Sequence, residues 1–393
     1  MLFARYSDPR DVNSAHPNGI ARHRTPGRLG TAVALRDAVR CSGLRAVGFG
    51  ARVSAELSGV TVIIPVRNEA AYVRGAIESV QRAARGVTDV EIFIIDGMSD
   101  DDTAAIVASM AEDDPRIRLF ENQQRTVPHA MNLGIRASVG DVIIRIDGHA
   151  EVEPDFIRNS VAELVAHPEC ACVGGPIENV SENQRARAIS EAMSSTFGVG
   201  NARFRTGGRD GYVDTVAFGA YRKADLFAIG LYDEALTRNE DDDLNFRLIR
   251  SGRLIWFSNS IRSLYYVRSS YSKLHRQYYQ YGYWKVYVNR KHGRITNLRQ
   301  VVPPLFVGVI ALLGVLVPIL THARVGLIGV LATYLFVAAV SAFRSGSAPR
   351  RALFTIAAFF TLHTGYGIGY WAGLCDFAVL HRQPAASATR LSR

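Results

Sequence analysis

Residues Val60–Val66 read VTVIIPV, an almost unbroken apolar run that leads into the polar turn RNE. Similar apolar runs recur at Val90–Ile95 (VEIFII) and Asp141–Ile146 (DVIIRI). Strands that are apolar on both faces are typical of parallel sheets that helices cover on both sides. These runs therefore predict a doubly wound α/β domain.

The segments between the runs alternate as such a domain requires. The spacing of apolar residues predicts helices over Ala70–Arg85, Asp102–Asp113 and His129–Ser138, and a further short strand at Ile117–Glu121. Doubly wound sheets bind their ligands beyond the carboxyl ends of the strands. The residues that follow each predicted strand are therefore the first candidates for a functional site.

The composition describes a folded, basic protein of 393 residues, of which 48% are hydrophobic and 21% are charged, with a net charge of +10 at pH 7. These proportions exclude an intrinsically disordered chain. The four cysteines are too scattered for a disulfide framework, and Cys170 with Cys172 alone cannot form a zinc site. A reduced compartment is the simplest setting for the catalytic part.

The positive charge is concentrated beside an apolar C-terminal part. From Leu244 to Cys375 there is no Asp or Glu, and twelve Lys or Arg lie between Leu244 and Gln300. Three apolar stretches follow, Val301–Leu320, Val325–Phe343 and Ala352–Leu374. Each is long enough to cross a hydrocarbon core about 30 Å thick. Three buried helices of a soluble domain are the alternative, but the lack of acidic residues favours membrane spans.

The basic residues around these stretches favour a cytoplasmic location for the N-terminal domain. They precede the first stretch and lie between the second and third, at Arg290, Lys291, Arg294, Arg299, Arg344, Arg350 and Arg351. The arginines of the tail would then fall outside, unless the third stretch re-enters the membrane. Three closely spaced glycines in that stretch, Gly365, Gly367 and Gly369, are compatible with re-entry.

Polar or turn-forming residues cluster at the predicted strand ends. They are Pro65, Val66 and Glu69 at the first strand, Asp96 after the second, and Asp147 and His149 after the strand that ends at Ile146. Each polar member has an alternative role in a loop or as a helix cap. Because the ends of parallel strands meet at one edge of a sheet, we expect these residues to converge there.

A metal cation is expected at this edge if the ligand is a nucleotide diphosphate. The chain has no glycine-rich phosphate-binding loop of the dinucleotide or P-loop type. A divalent cation would then neutralise the phosphates, and Asp147 and His149 are close enough in sequence to bind one ion together. A carboxylate with an imidazole suits Mn²⁺ better than Ca²⁺, and Mg²⁺ is the second candidate.

A second acidic group is formed by four consecutive carboxylates, Glu240–Asp243, before an amphipathic helical pattern. Carboxylates at the start of a helix stabilise its dipole. Like charges so close together also raise one another's pKa, which is one way to tune a general base. Both interpretations remain open from the residues alone.

The segment His275–Lys285 reads HRQYYQYGYWK and mixes basic with aromatic residues. Such a pattern occurs in nucleic-acid-binding surfaces and in helices that lie at a membrane interface. The apolar stretches that follow favour the membrane. Tyr283 and Trp284, among other aromatic residues of the segment, are expected at the interface.

Five motifs in order and spacing resemble family 2 glycosyltransferases of the GT-A fold, in particular the ExoA-like subgroup of succinoglycan glucosyltransferases. They are VTVIIPVRNEAAYV, IIDGMSDDDT, HAMNLGIRASVGDVIIRIDGHAEVEP, FGAYR and NEDDDLNFRLIRSG. The resemblance covers about residues 58–285. It implies a GT-A-type, mostly parallel sheet followed by C-terminal transmembrane helices.

The resemblance also implies roles for single residues. Pro65, Val66 and Glu69 match the first donor-binding segment, Asp96 the carboxylate that reads the base, and Asp147 with His149 the D-x-D metal motif, in which His149 replaces the usual Asp. Asp241, next to Glu240, matches the general base. The QYGYW sequence Gln280–Trp284 resembles the Q-x-x-R-W motif of processive synthases, with Tyr283 in place of Arg. Gly219, Gln280 and Trp284 are assigned to the acceptor site or a domain interface.

The function implied is that of an inverting, membrane-bound glycosyltransferase in exopolysaccharide or surface-glycan biosynthesis. Its donor would be a nucleotide diphosphate-sugar and its acceptor a hydroxyl of a polyprenyl-linked saccharide, with membrane lipids as further partners and no nucleic acid. A polyprenyl-phosphate hexosyltransferase is one alternative. A non-catalytic protein that binds membrane surfaces or nucleic acid is the other.

The expected organisation follows from these assignments. Residues 1–57 would form an Arg-rich flexible leader, 58–270 the glycosyltransferase domain, 271–300 a basic aromatic interfacial segment, 301–380 a membrane region of about three helices, and 381–393 a flexible tail. The protein would be a multi-pass protein of the inner (plasma) membrane with a cytoplasmic catalytic domain. The loop Ser181–Gly211 is expected to close over donor or acceptor.

Overall fold

A computed structural model describes residues 57–181, 183–267, 270–296, 298–382 and 384. The expected leader, apart from residue 57, and most of the expected tail lie outside the described residues.

The strands of the described chain are β1 (Val60–Val66), β2 (Val90–Asp96), β3 (Ile117–Glu121), β4 (Val142–Arg145), β5 (Ala150–Val152), β6 (Cys170–Gly175), β7 (Ile177–Val180), β8 (Gly211–Tyr212), β9 (Ala217–Arg222), β10 (Leu254–Phe257) and β11 (Ser263–Tyr266).

The helices of the α/β part are α1 (Val73–Ala83), α2 (Thr103–Asp113), α3 (Val127–Ala137), α4 (Phe156–Ala166), α5 (Gln184–Met193), α6 (Thr196–Val199), α7 (Arg203–Thr206), α8 (Lys223–Ala228) and α9 (Glu240–Arg250). The C-terminal helices are α10 (Tyr271–Lys291), α11 (Val302–Leu316), α12 (Thr321–Arg344) and α13 (Pro349–Gly373). A 3₁₀ turn (Leu298–Val301) precedes α11, and a π-helical segment (Leu374–Val379) continues α13.

The strands form an eight-stranded sheet in the order β3-β2-β1-β4-β9-β6-β10-β8 and a three-stranded sheet in the order β5-β11-β7. Strands β1 to β4 are parallel to their neighbours among themselves, as are β6 and β10, whereas β9 is antiparallel to both β4 and β6. The predicted doubly wound, mostly parallel sheet is confirmed. The antiparallel β9 and the small sheet were not anticipated from the sequence.

Strand β1 shows why the central runs are apolar on both faces. Val62 and Ile64 pack into one layer, which contains Ile77 of α1, and Ile63 packs into the opposite layer with Met131 of α3. All of β1 is buried. An alternating polar pattern would leave unpaired polar groups under one of the two helical layers.

Helix boundaries differ from the sequence expectation where local geometry intervenes. Helix α1 begins at Val73 rather than Ala70, because Glu69 O accepts hydrogen bonds from the backbone N–H groups of Tyr72 and Val73 in a turn. Helix α3 begins at Val127, before the expected start, and has Pro128 in its first turn, where proline loses no helical hydrogen bond.

Three C-terminal helical segments are long and apolar enough to cross a membrane: Arg299–Leu316, Thr321–Arg344 and Pro349–Val379. Helix α10 packs along α13. The structure therefore places Tyr283 and Trp284, which the sequence pattern assigns to a membrane interface, inside the protein, where they are 0% and 1% exposed. Tyr283 and Trp284 are covered by α13 and Phe377 and not by lipid.

Glycines bring α10 and α13 into close contact. A Cβ atom on Gly282 would lie 2.0 Å from Tyr366 O, and one on Gly369 would lie 2.0 Å from Tyr279 O. Gly365 likewise faces the backbone of His275. The glycines of the third apolar stretch therefore serve helix packing, as small residues do between membrane helices, and α13 runs through them without a break.

Candidate active site

The loops after β1 and β2 hold each other in place at the sheet edge. The backbone N–H of Asn68 donates to Ser99 Oγ at 2.9 Å, and that of Glu69 donates to Thr103 Oγ1 at 2.8 Å. Asp96 accepts from both the N–H and the hydroxyl of Ser99, at 3.0 and 2.5 Å. The hydrogen bonds of the DGMSDDDT segment therefore hold the loop after β1 in place and also orient the carboxylate of Asp96.

Pro65 and Val66 are buried at the end of β1, where Val66 pairs with Asp96 of β2. Asp101 accepts hydrogen bonds from the N–H groups of Ala70 and Thr103, so it joins the loop after β1 to the first residue of α2. Of the residues predicted to bind the donor, Asp96 and Glu69 are thus brought to one edge.

Glu69 and His149 form a buried pair that joins the ends of β1 and β4. His149 Nδ1 lies 3.1 Å from Glu69 Oε1, and the two residues are 8% and 5% exposed. Gly148 allows this approach, because a Cβ atom there would lie 2.8 Å from Val66 Cγ1. The sequence did not predict the contact between Glu69 and His149, because these residues are 80 positions apart.

Arg145, the last residue of β4, lies between the carboxylates of two elements. Its guanidinium is 3.2 Å from Asp147 Oδ1, 3.3 Å from Glu240 Oε1 and 2.5 Å from Asp241 Oδ1. The residue is 8% exposed. Asp147 of the predicted metal motif and Asp241, the predicted base, therefore share the guanidinium of Arg145.

The four consecutive carboxylates of α9 have different partners. Glu240 and Asp241 face Arg145, whereas Asp242 Oδ2 pairs with the buried Lys285 of α10 at 3.0 Å. Asp243 is fully buried and contacts Arg247, Lys291 and His292. The four carboxylates are therefore not simply exposed at the start of a helix. Glu240 and Asp241 lie at the sheet edge, whereas Asp242 and Asp243 pair with lysines of α10.

Asp241 and Asp147 differ in protonation because their surroundings differ. Burial raises the pKa of Asp241 to about 7, opposed by Arg145 and reinforced by the charges of Glu240, Asp147 and Asp242. Burial also opposes ionisation of Asp147, but Arg145 and His149 hold the pKa of Asp147 below its ordinary value. Asp147 is therefore ionised at neutral pH, and Asp241 is poised to take or release a proton.

A cavity of about 600 Å³ joins this cluster to the C-terminal helices. From the α/β part it is lined by Arg145, Asp147, Glu240, Asp241 and Asp242. From α11, α12 and α13 it is lined by Pro303, Phe306, Tyr334, Leu362 and Tyr366. Asp147 and Asp241 thus face one space, and that space reaches apolar residues of all three helices.

Three further arginines line the cavity: Arg205, Arg238 and Arg299. Arg205 lies over the Tyr265 ring, and its Nη1 is buried without a hydrogen-bond partner in the described part of the chain. Arg238 Nε donates to Gln280 Oε1 at 3.2 Å. The wall therefore offers positive charge beside the carboxylates.

The residues predicted for the acceptor or an interface lie in different places. Gln280 contacts Arg238, which lines the cavity, and Trp284 packs deeper in α10 against Phe377. Gly219 lies within β9, where a Cβ atom would be 2.8 Å from Cys172 Sγ and from the Tyr221 ring, and it does not line the cavity. The lack of a side chain at Gly219 serves packing of the sheet.

The segment Ser181–Gly211, which the sequence predicts as a loop, contains helices α5, α6 and α7 and contributes Phe197, Val199 and Arg205 to the cavity wall. It is tied to the C-terminal helices, because His363 Nε2 lies 3.0 Å from Phe197 O and His363 Nδ1 lies 2.9 Å from Tyr334 Oη. The position of this wall therefore depends on α12 and α13.

Asp147 and His149 are the residues that would hold a divalent cation. Asp147 is ionised and lines the cavity, whereas His149 does not line it. The ring of His149 is oriented by the Glu69 carboxylate, as is usual for histidine ligands of metals. Within the described ranges, no three His, Cys, Asp or Glu side chains surround one point. Phosphate oxygens of a donor would have to complete the coordination.

Arg145 is a cavity-lining residue that sequence reasoning missed. The signal was present, because an arginine in the otherwise apolar strand VIIRI requires buried anionic partners. The identity of those partners was not readable, since Glu240 and Asp241 lie 95 and 96 positions away.

Comparison with known proteins is consistent with this site. Residues 61–227 match the family described as glycosyl transferase family 2. The succinoglycan biosynthesis protein ExoA of Rhizobium meliloti (strain 1021) is 30% identical over 319 residues, which are 80% of this chain and 95% of that protein.

A Methanococcus voltae protein named dolichyl N-acetyl-alpha-D-glucosaminyl phosphate 3-beta-D-2,3-diacetamido-2,3-dideoxy-beta-D-glucuronosyltransferase is 29% identical over 59% of this chain and 74% of its own length. The mannosyltransferase PcManGT from Pyrobaculum calidifontis, solved in complex with GDP-Man and Mn²⁺, is similar with a TM-score of 0.50 and 17% identity, over 81% of this chain and 87% of that chain. The structural similarity supports the GT-A fold.

Proposed function

Because this chain belongs to glycosyl transferase family 2, we propose that it transfers a sugar from a nucleotide diphosphate-sugar to a hydroxyl of a lipid-linked glycan, with inversion at the anomeric carbon. We place this reaction in exopolysaccharide or related surface-glycan assembly, in keeping with the name of the R. meliloti relative. One observation carries the proposal: a single cavity contains Asp147, Asp241 and apolar residues of the three C-terminal helices.

The donor would bind at the edge formed by the ends of β1, β2 and β4. Asp96 would contact the nucleotide base. Glu69 would act through His149, because its Oε1 lies 3.1 Å from His149 Nδ1 and orients the imidazole ring. A divalent cation held by Asp147 and His149 would offset the negative charge that develops on the departing diphosphate. Mn²⁺ is the first candidate, since the similar mannosyltransferase was solved with it.

Asp241 would remove the proton of the acceptor hydroxyl as its oxygen attacks the anomeric carbon. A carboxylate whose pKa is raised to about 7 can accept a proton near neutral pH and is a stronger base than an ordinary aspartate. Glu240 shares Arg145 with Asp241 and so helps to fix the base. A single displacement of this kind inverts the anomeric centre.

The acceptor would enter between the α/β domain and the C-terminal helices. Its pyrophosphate matches the positive wall of Arg205, Arg238 and Arg299, and its polyprenyl chain matches Phe306, Leu362 and the neighbouring helix residues. Lys285 and Lys291, which also belong to the basic segment, are paired with α9 carboxylates instead. Arg299 is itself paired with Asp214 at 3.2 Å and Arg238 with Gln280 at 3.2 Å, so the pyrophosphate would bind this wall in competition with those contacts.

The three apolar helical segments support a location in a membrane. We propose a multi-pass protein of the inner (plasma) membrane with the catalytic domain in the cytoplasm, where nucleotide sugars are made. The basic residues before α11 and between α12 and α13 are those expected on the cytoplasmic side.

The presence of a base distinguishes this proposal from transfer to polyprenyl phosphate. A phosphate acceptor has no hydroxyl proton that must be removed at neutral pH, so it has less need of Asp241. The M. voltae relative is named for transfer to a sugar that is already attached to a dolichyl phosphate, which is the hydroxyl-acceptor type of reaction.

The test is the Asp241→Asn variant, assayed in purified membranes with radiolabelled nucleotide sugars and extraction of the lipid fraction. We expect transfer to fall by about 100-fold or more, because removal of a general base costs that order of rate. Donor affinity, measured by isothermal titration on the purified full-length protein, should change little.

Asp233→Asn is the matched control, since Asp233 pairs with Lys291 outside the cavity. It should retain transfer. Transfer by Asp241→Asn at the rate of the unmodified protein would remove Asp241 as the base.

A further inference from the structure

Arg145 links the two halves of the proposed site through one guanidinium group. Its Nη2 contacts Asp147 on the donor side, and its Nη1 contacts Glu240 and Asp241 on the acceptor side. A forked guanidinium can hold carboxylates in two directions at once, which a lysine ammonium does less well. This one side chain therefore bridges the predicted metal motif and the predicted base.

The surroundings of Arg145 keep it charged and in place. Val142, Ile143 and Ile144 of the same strand are fully buried, so the arginine extends from an apolar element into the carboxylate cluster. The charges of Asp241, Asp147 and Glu240 hold the pKa of Arg145 above its already high ordinary value, against the effect of burial. A buried cation of this kind is stable only with anionic partners.

Arg145 has more than one anionic partner. Asp147, Glu240 and Asp241 contact its guanidinium, while the neighbouring Asp242 pairs with Lys285. Asp147 also has His149 and Arg238 as nearby positive charges. If Asp147 turns to another cation, Arg145 still has Glu240 and Asp241 as partners and is not left unpaired.

Resting on the proposed function, we propose that Arg145 is a positioning residue and an internal counter-cation of the site. It holds Asp147 and Asp241 on one guanidinium before substrates bind. A divalent cation that binds Asp147 competes with Arg145, which then pairs with Glu240 and Asp241 alone. Arrival of the cation thereby reorganises the base as well as the donor site.

Mn²⁺ alone, without donor or acceptor, is the probe that tests this proposal. The full-length protein in lipid nanodiscs is titrated with Mn²⁺, and the free ion is measured by electron paramagnetic resonance. Arg145→Met should bind Mn²⁺ at least about tenfold more tightly than the unmodified protein, because a competing positive charge has been removed from Asp147. Its turnover should nevertheless fall by about 100-fold, because the base is no longer held.

Arg250→Met is the matched control, because Arg250 is an exposed arginine at the far end of α9. It should change neither Mn²⁺ affinity nor turnover. Arg145→Lys keeps the charge without the fork, so it should bind Mn²⁺ with an affinity close to that of the unmodified protein but turn over more slowly. A residue needed only for folding would weaken Mn²⁺ binding and turnover together.

A second pair of variants keeps the proposal testable if Arg145→Met does not fold. Arg145→Met combined with Asp241→Asn removes one positive and one negative charge, and it should bind Mn²⁺ more tightly than Asp241→Asn alone. Mn²⁺ affinity that is equal or weaker in the double variant overturns the competition between Arg145 and the cation. Because this measurement involves no sugar transfer, it is independent of whether Asp241 is the base.

Discussion

At the scale of single residues, the site consists of carboxylates that share a short stretch of sequence or a sheet edge but differ in their partners. Asp243 is fully buried in a cluster with Lys291 and His292, whereas Asp241 is 39% exposed towards the cavity. Fully paired and buried carboxylates are structural, because their charge is compensated permanently. Only a group that retains access to the cavity can exchange a proton with a substrate.

The raised pKa of Asp241 leads to a prediction on pH dependence. Asp241 must be ionised to act as a base, and burial together with Glu240, Asp147 and Asp242 shifts its ionisation to about pH 7 against the pull of Arg145. Transfer should therefore rise as the pH increases through about 7 and then level off. Below that pH it should fall by about tenfold per pH unit, as for one required deprotonation. Initial rates of label incorporation from pH 5.5 to 8.5 would measure this.

Donor binding, followed over the same pH range, is the control for this profile. Transfer that is flat from pH 5.5 to 8.5 while donor binding is intact would contradict the assignment of a titrating base.

At the scale of elements, the contact between α10 and α13 connects the catalytic domain to the C-terminal helices. Helix α10 carries Lys285, which pairs with Asp242 of α9, and Gly282, about one turn earlier, which packs on α13. Close helix packing at glycines leaves no space for a methyl group. A small change at this contact should therefore be felt at the acidic end of α9.

Gly282→Ala should destabilise the protein. The new Cβ would lie 2.0 Å from Tyr366 O, a backbone atom, so the two helices must separate. Overpacking of this kind costs roughly 1–3 kcal/mol or more. Thermal unfolding of the full-length protein in detergent, followed by intrinsic fluorescence, should show a midpoint lowered by several degrees.

Gly329→Ala in α12 is the control, because a Cβ there meets nothing within 4 Å. Its midpoint should be unchanged or slightly higher, since alanine favours helix formation. Equal midpoints for the two variants would show that the α10–α13 contact tolerates expansion.

At the scale of the whole molecule, the cavity is assembled from parts that are far apart in sequence. The α/β domain supplies the carboxylates, helix α6 with Phe197 supplies one wall, and α11 to α13 supply the apolar surface. The contact of His363 with Phe197 O fixes α6 to α13. If the proposed function is correct, the packing of the two regions places substrate entry and chemistry in one cavity.

Val302→Trp tests whether the helix side of the cavity accepts the lipid. Val302 lines the cavity and is 64% exposed, so a larger side chain can be accommodated without disturbing the core. We expect the KM for a polyprenyl-linked acceptor to rise about tenfold, because apolar contacts are lost or blocked. The KM for the nucleotide sugar should not change.

Val325→Trp in α12 provides the comparison, since Val325 is 69% exposed and does not line the cavity. Its acceptor KM should match that of the unmodified protein. An unaltered acceptor KM in Val302→Trp, with turnover intact, would place the lipid elsewhere.

The sequence by itself determined the elements and the order of the motifs. Apolar runs on both faces of β1 and β2 can be satisfied only under two helical layers, and long apolar stretches without acidic residues indicate membrane helices. These are local properties of composition and spacing. The positions of Asp96, Asp147 and Asp241 at strand or helix ends follow from the same patterns.

The tertiary structure decided which of these groups meet. Arg145 lies among Asp147, Glu240 and Asp241, and His149 lies against Glu69, because the sheet order brings distant segments to one edge. Tyr278, Tyr283 and Trp284 of α10 are buried rather than interfacial, because α13 offers a glycine-lined surface. A sequence shows that a buried charge needs a partner or an apolar face needs a cover, but long-range packing selects the partner.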